Sequence, residues 1–296
     1  MTCPCRASAP VSNEIRVAVA ARRRKLLSAA AVAALTAIST IPATAADWLD
    51  DTLRGTITNN APVRWDGVNF GATTGLSSMT TNYGSSTSSQ VAYTLRNTTL
   101  QNEQSPSSWT TLPESTSNSK QFGLFIGYNM QWQELVLGFD LAYNKVSGLS
   151  NSASDTMTRQ VTLSDGTSDN VTIAAQGQTK LVDYGTLRAR AGYAFGQFMP
   201  YGILGVAVGR FNYSVSTTVT VDQTPAGGAT TRIAFPTTTD ARDATFSAGP
   251  LFGIGMDVAV MPNVFLRAEW EYAAFAPIHG IRSRVSTGRI GVGLRF

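Results

Sequence analysis

His279 is the only imidazole in the 296-residue chain, and it stands in the run Pro277-Ile278-His279-Gly280 with Ser283 and Ser286 close behind it. A serine, a histidine and an acid are the parts of an acyl hydrolase or transferase, in which the imidazole takes the hydroxyl proton and the acid orients the ring. The parts occur here without the pattern. The chain has no nucleophile elbow of the Gly-x-Ser-x-Gly kind, no acid at a spacing that would orient His279, and serines throughout its loops. One histidine and two cysteines, Cys3 and Cys5, make no ligand cluster for a metal. The sequence therefore predicts a non-enzymatic protein with no resident cofactor or metal, and His279 as a solvated loop residue.

A second chemistry is ionic. Asp140, Arg188, Arg190, Asp257, Arg267, Glu269, Glu271, Arg289 and Arg295 lie in segments otherwise made of apolar and small residues. Charges there are tolerable only if one face gathers them and pairs them. The segments show such a face. In Lys120 to Trp132 the residues Phe122, Leu124, Ile126, Tyr128, Met130 and Trp132 alternate with Gly123, Gly127, Asn129 and Gln131. Leu135 to Tyr143 repeats the period, with Gly138, Asp140 and Ala142 on the second face. Period-two alternation with no sustained helical period is the mark of strands.

Eight such segments follow residue 60, the others being Arg64 to Leu76, Tyr184 to Phe195, Pro200 to Val215, Phe246 to Val260, Phe265 to Tyr272 and Val285 to Phe296. Two registers can be read directly. A turn at Gln133-Glu134 sets Trp132 opposite Leu135 and Tyr128 opposite Phe139, so the apolar faces coincide. Across Met261-Pro262-Asn263, pairing Val260 with Val264 sets Met256 opposite Ala268 and Asp257 opposite Arg267, with Gly255 and Gly253 leaving room beside Glu269 and Glu271. Connections alternate in length: short near 133, 197 and 262, long at 77–118, 147–178, 216–242 and 273–284.

A tilted strand crosses a bilayer in about 9 to 11 residues, and lipid offers no partner for an open sheet edge. The expected fold is thus all-β: a closed, antiparallel, eight-stranded transmembrane β-barrel over residues 62–296, with short periplasmic turns and four long extracellular loops. Trp65, Trp132, Phe195, Phe198, Tyr201, Trp270 and Tyr272 are expected in the interfacial girdles. A soluble β-sandwich, the competing reading, needs neither those girdles nor a long apolar face on every strand. The nine charged residues become an interior salt-bridge network, since eight strands leave a lumen that side chains can fill, whereas water-filled porins use about 16 to 18. A narrow conduction path is the alternative. The first long loop is expected to hold a short helix over Gln90 to Asn102, and the loops read as Ser/Thr/Asn-rich cover.

The leader agrees with export. Arg22, Arg23, Arg24 and Lys25 precede an apolar run, Leu26 to Ile41, that closes on Pro42-Ala43-Thr44-Ala45-Ala46. Residues 1–46 therefore read as an N-terminal extension and signal peptide cleaved near Ala45 or Ala46, rather than as a transmembrane helix, and 47–61 as a periplasmic N-terminal segment. Removing six of the 23 Lys and Arg and one of the 19 Asp and Glu leaves 17 against 18, so the charge of +4 becomes −1. The basic excess belongs to the leader, and no nucleic-acid partner is expected.

The terminal strand, with Ile290, Val292, Leu294 and Phe296 at alternate positions, resembles the outer-membrane insertion signal of bacterial barrels. Arg64-Trp65-Asp66-Gly67, the segment Gly185 to Phe195, Pro262-Asn263 and Leu266 to Tyr272 resemble small alphaproteobacterial outer-membrane surface barrels, OmpA-like and opacity-like in fold. That resemblance implies location in the bacterial outer membrane, contact with its lipids and lipopolysaccharide, and insertion by the barrel assembly machinery. It also implies a structural or surface-contact role with an unknown loop ligand. Because the family includes hemin-binding members, it leaves open capture of hemin or another small ligand through His279, Tyr83 or Tyr93.

Overall fold

The structure, a computed structural model, describes residues 63–109 and 112–296. The expected leader (1–46) and N-terminal segment (47–61) lie outside the described residues. Nine strands are described: β1 (Gly67–Asn82), β2 (Ser115–Trp132), β3 (Leu135–Thr162), β4 (Ser168–Tyr193), β5 (Phe198–Thr224), β6 (Thr231–Ala234), β7 (Thr238–Met261), β8 (Val264–Ala274) and β9 (Arg282–Arg295). All pairings are antiparallel, in the order β4-β3-β2-β1-β9-β8-β7-β5, and a β4–β5 pairing closes the ring. Eight strands make the barrel. The ninth, β6, pairs only with the upper end of β5, where Thr231 to Ala234 meet Gln223 to Thr220.

Both expected registers are present, the second with one change. Trp132 faces Leu135 and Tyr128 faces Phe139. Asp257 faces Arg267, and Gly255 and Gly253 face Glu269 and Glu271, but Val264 pairs with Met261 and the register shifts between Ala259 and Met261. A bulge at the turn leaves Val260 unpaired, a detail that period-two counting cannot register.

The outward face is apolar across the span. Leu124, Ile126, Leu141, Leu204, Ile254 and Ile290 are each more than half exposed, as lipid contact demands. The four residues expected in the insertion signal point the same way, Ile290 and Phe296 at 65% and 69% exposure and Val292 and Leu294 at 48% and 37%. Trp132, Phe195, Phe198 and Trp270 face outward as expected of a girdle, and Tyr272 is half-buried. Trp65 and Tyr201 do not belong to it. They are 1% and 5% exposed and lie inside the barrel, because each falls at an inward position of its segment.

The larger departure is above the membrane. β3, β4, β5 and β7 run for 28, 26, 27 and 24 residues, far beyond a bilayer crossing. Most of 147–178 and 216–242, expected as loops, is a tall β-ribbon, and the β3–β4 connection is only the turn between Thr162 and Ser168. Its sequence alternates Ser and Thr with small apolar residues, which reads as loop when burial is unknown. Bulges also reset the period: inward residues of β3 are even-numbered up to Val146 and odd-numbered from Leu149, across a register shift between Lys145 and Leu149. The long first connection holds α1 (Gly84–Thr94) and α2 (Thr99–Gln104) in place of one helix over 90–102. Val91, Leu95 and Leu100 of these helices pack on Val171, Ile173, Val219 and Val221 of the ribbon, forming a second apolar core.

A cation on the lipid face separates membrane from ribbon. Ile126→Arg is expected to lower stability by about 2 to 4 kcal/mol, the cost near the bilayer midplane. Thr156→Arg, on the exposed ribbon face, is expected to change it by no more than about 0.5 kcal/mol. Denaturant midpoints of protein refolded into vesicles measure both, and equal shifts would contradict the placement.

Candidate functional site: a closed ionic lattice in the lumen

The barrel wall sends Asp140 inward from β3, Arg188 and Arg190 from β4, Asp257 from β7, Arg267, Glu269 and Glu271 from β8, and Arg289 from β9. None is more than 5% exposed. Three contacts join facing strand neighbours: Asp140 with Arg188 at 3.1 Å, Asp257 with Arg267 at 2.8 Å and Glu269 with Arg289 at 2.6 Å. Arg190 with Asp140 and Arg289 with Glu271 are diagonal contacts between the same neighbouring strands, and the others cross the lumen. Arg188 reaches Glu269 at 3.0 Å and also Glu271, and Arg267 reaches Asp140 at 3.1 Å. Arg190 lies 3.1 Å from Asp140 and bonds Asp257 at 3.3 Å, and Arg289 bonds Glu271 at 2.5 Å. Four guanidiniums meet four carboxylates, so the lattice carries no net charge.

Arg295 was expected in this network and stands outside it. Its guanidinium donates to the Pro262 carbonyl at 2.7 Å and lies 4.8 Å from the centre of the Trp65 ring. It is the last inward position of β9, six positions beyond Arg289, and with Trp65 it floors the lumen.

Three neutral residues complete the lattice: Asn129, already read on the inward face of its strand, Tyr201, expected in the girdle, and Asn144. The Tyr201 hydroxyl lies 2.9 Å from Asp257 and 2.8 Å from Glu269, and its single proton serves one of them at a time. Asn129 accepts from Arg190 at 2.8 Å and Asn144 from Arg289 at 3.3 Å. Parity was the available signal for Tyr201, which shares the inward face of β5 with Ile203. Phe125 lies 4.1 Å under the Arg267 guanidinium, a cation–π contact in a site closed to water. Glycine makes the room. A Cβ on Gly127 would sit 1.9 Å from the Asp140 Oδ1, and one on Gly255 2.6 Å from the Tyr201 ring.

Above the lattice the lumen stays filled. Tyr184 donates to Gln121 at 2.8 Å, which also accepts from Ser77 at 2.9 Å. Asn151 then bridges the Met79 and Ser115 carbonyls, each at 2.8 Å.

The residues weighed for catalysis or iron ligation are dispersed. His279 is tied through Nδ1 to Asp240 at 3.0 Å, an acid that sequence spacing did not suggest, because β7 brings it from 39 positions upstream. The Tyr213 hydroxyl lies 3.4 Å from the same carboxylate, and burial, then Asp240, pushes that hydroxyl above its ordinary pKa. The hydroxyls of Ser283 and Ser286 bond instead to Thr81 and Trp270. Tyr83 is fully buried with its hydroxyl on the Asn151 carbonyl, so it offers no accessible ligand, whereas Tyr93 is 62% exposed. Among the described residues, no group of three His, Cys, Asp or Glu is placed to hold a metal ion.

Residues 30–296 match the family described as outer membrane protein beta-barrel domain. The chain belongs to that family. It is therefore a β-barrel of the bacterial outer membrane, with the short turns at the periplasmic end and the ribbon at the cell surface. No curated protein matches it significantly. Among solved structures it is similar to Ail, the attachment invasion locus protein of Yersinia pestis, at 14% identity and a TM-score of 0.32, over 78% of this chain and 99% of that one. Neisserial surface protein A matches at 14% and 0.32, over 78% and 100%, and the outer membrane protease OmpT of Escherichia coli at 8% and 0.29, over 78% and 97%. Scores of this size carry no argument about this barrel's role.

Breaking a buried pair leaves an uncompensated charge. Asp257→Ala is expected to destabilise the barrel by about 3 to 5 kcal/mol, and Asp257→Ala combined with Arg267→Ala by less than the sum of the two single changes. Urea unfolding of refolded protein in micelles measures the cycle; strict additivity would show that the two groups do not act as a pair.

Proposed function

We propose that this protein is a non-enzymatic surface-contact protein, in which the barrel is an inert anchor and the extracellular ribbon is the working part. The observation that carries this reading is the pairing of a plugged lumen with a ribbon stiffened from behind by its own apolar core. The middle of the ribbon's outer face is made of hydroxyls and amides, while Arg159, Lys180 and Arg242 stand exposed elsewhere on the ribbon. Ser152, Ser154, Gln176, Gln178, Ser214 and Ser216 line a shallow depression of about 400 Å³ across β3, β4 and β5. A rigid, neutral, hydrogen-bonding surface suits a polar partner at low ordering cost, because its backbone is already paired.

The narrower placement among small alphaproteobacterial surface barrels rests on the strand motifs at 64–67, 185–195 and 262–272. Recognition of the terminal Ile290, Val292, Leu294 and Phe296 by the insertion machinery is part of the same reading, supported by their outward, lipid-facing row.

Three outward lysines test the ribbon. A strain carrying Ser154→Lys, Gln176→Lys and Ser216→Lys is expected to keep the heat-modifiable gel migration of a folded barrel and to lose whatever surface attachment the deletion strain loses. If that variant restores attachment fully, or if the deletion strain shows only detergent sensitivity that the variant repairs, the role is envelope integrity and the proposal fails. In planar bilayers the purified protein is expected to show no large steady conductance; stable porin-sized channels would contradict the plugged lumen.

A further inference from the structure

Above the membrane span the two margins of the ribbon are treated differently. On one side the chain covers its own edge: Thr231 to Ala234 of β6 and Thr238 to Arg242 of β7 pair with the upper part of β5. On the other, β2 pairs with β3 only as far as Val146, and from Leu149 to Thr162 the strand β3 pairs with β4 alone. Among the described residues no strand takes the second edge of β3 there.

Which groups face that open side follows from the hairpin. The Leu163 N–H donates to the Thr167 carbonyl at 2.8 Å where β3 turns into β4, so odd-numbered residues of this stretch direct their backbone groups to β4. Even-numbered residues, Ser152 to Thr162, direct theirs to the open side. The Thr156 N–H agrees, since it donates to the carboxylate of its own neighbour Asp155 at 2.9 Å. The side chains of these even residues are all exposed. Sheets ordinarily blunt such an edge with proline, lysine or a cover. Ser150 to Thr162 holds neither residue, and its only charges are Asp155 and Arg159.

Those two charges are arranged for a copy of the same strand. They share the inward row four residues apart, about 13 Å, which is too far for them to bond each other. The β4 residues opposite them, Ala175 and Val171, are uncharged, and the Arg159 guanidinium rests 4.9 Å from the centre of the Trp109 ring. A second β3 laid antiparallel along the open side, with Met157 opposite Met157, sets Asp155 of each copy opposite Arg159 of the other. The same register sets Thr156 opposite Thr158, Ser154 opposite Gln160 and Ala153 opposite Val161, so even residues meet even residues as the open N–H and C=O groups require. A shift of two residues either way separates both charge pairs.

We propose that the open edge of β3 is a homotypic contact, pairing antiparallel with the same edge of a second copy in a facing membrane. Direction excludes a neighbour in the same membrane, where every β3 points away from the lipid and two such edges cannot run antiparallel. Met157 lies about 40 Å along the strand from Lys145, so paired copies hold the two membranes on the order of 80 Å apart or less. Until a second copy arrives, the Asp155 carboxylate occupies the Thr156 N–H. The inference rests on the ribbon being the contacting part and names what it contacts.

Full-length protein in phosphatidylcholine vesicles of two colours tests the pairing, with clustering read by light scattering and by coincidence of the dyes. Wild-type vesicles are expected to cluster. Asp155→Arg and Arg159→Asp each set like charges opposite one another and are expected to slow clustering about tenfold or more when every vesicle carries the same variant. Mixing the two kinds of vesicle restores both opposite-charge pairs, and clustering is expected to return to within about twofold of the wild type. Thr158→Pro removes an N–H that β4 does not use and is expected to abolish clustering. Each variant is first shown to retain the folded gel migration. Wild-type vesicles that stay dispersed leave the edge to a foreign strand and overturn the proposal, as does a mixture that clusters no better than its two components. Dispersed wild-type vesicles together with lost attachment in the three-lysine strain would remove the pairing and leave the surface-contact reading standing.

Discussion

Lipid supplies no hydrogen-bond partner, and that absence governs the rest of the molecule. A strand edge left open in hydrocarbon would expose a row of unpaired N–H and C=O groups, so the sheet closes on itself through β4 and β5. Closure with eight strands leaves a narrow lumen. Alternation then sends every second side chain into that lumen, where it must pack against others, as Phe125, Ile203 and Phe265 do, or be hydrogen-bonded or part of a charge pair. The four arginines and four carboxylates are one solution, and the glycines opposite them are its steric complement.

Neutrality is what makes the lattice tolerable. Each arginine touches at least two carboxylates, and Asp140 Oδ2 alone receives three guanidinium contacts. Several pairs cross the lumen, so the lattice ties opposite walls together and resists opening. Trp65 and Arg295 below, and Tyr184, Gln121 and Asn151 above, extend the filling to both ends. The membrane-spanning part thus serves as a fixed base, and specific contact falls to what stands above it.

That upper part is ordered by burial. α1 and α2 lay Val91, Leu95 and Leu100 against Val171, Ile173, Val219 and Val221, so the inward ribbon face is sealed by the protein's own first connection. The outward face remains polar. Immediately beneath it, at the lipid boundary, cations appear that have no protein partner. Three zones follow one another up the wall: apolar toward hydrocarbon, cationic at its upper edge with Lys120, Lys145, Arg282 and Arg284 exposed, and polar in the space above.

Much of this was legible in the residues. Alternation of Phe122 to Trp132 and Leu135 to Tyr143 determined two strands and their register, because a one-residue slip would turn every apolar side chain inward. The lone His279 and the small charged set likewise pointed away from a catalytic cluster and toward interior pairing. Tertiary structure alone decided which charges meet. Arg188 reaches Glu271 only because closure brings β4 across from β8, and Asp240 meets His279 only through the path of β7. It also decided that Ser/Thr-rich stretches stand as a ribbon, since bulges at Lys145–Leu149 and neighbouring strands reset the period that sequence reading depends on. Local pattern specifies a strand and its faces; the long-range partners across a lumen, and the burial that makes a polar stretch into sheet, exist only once the ring has closed.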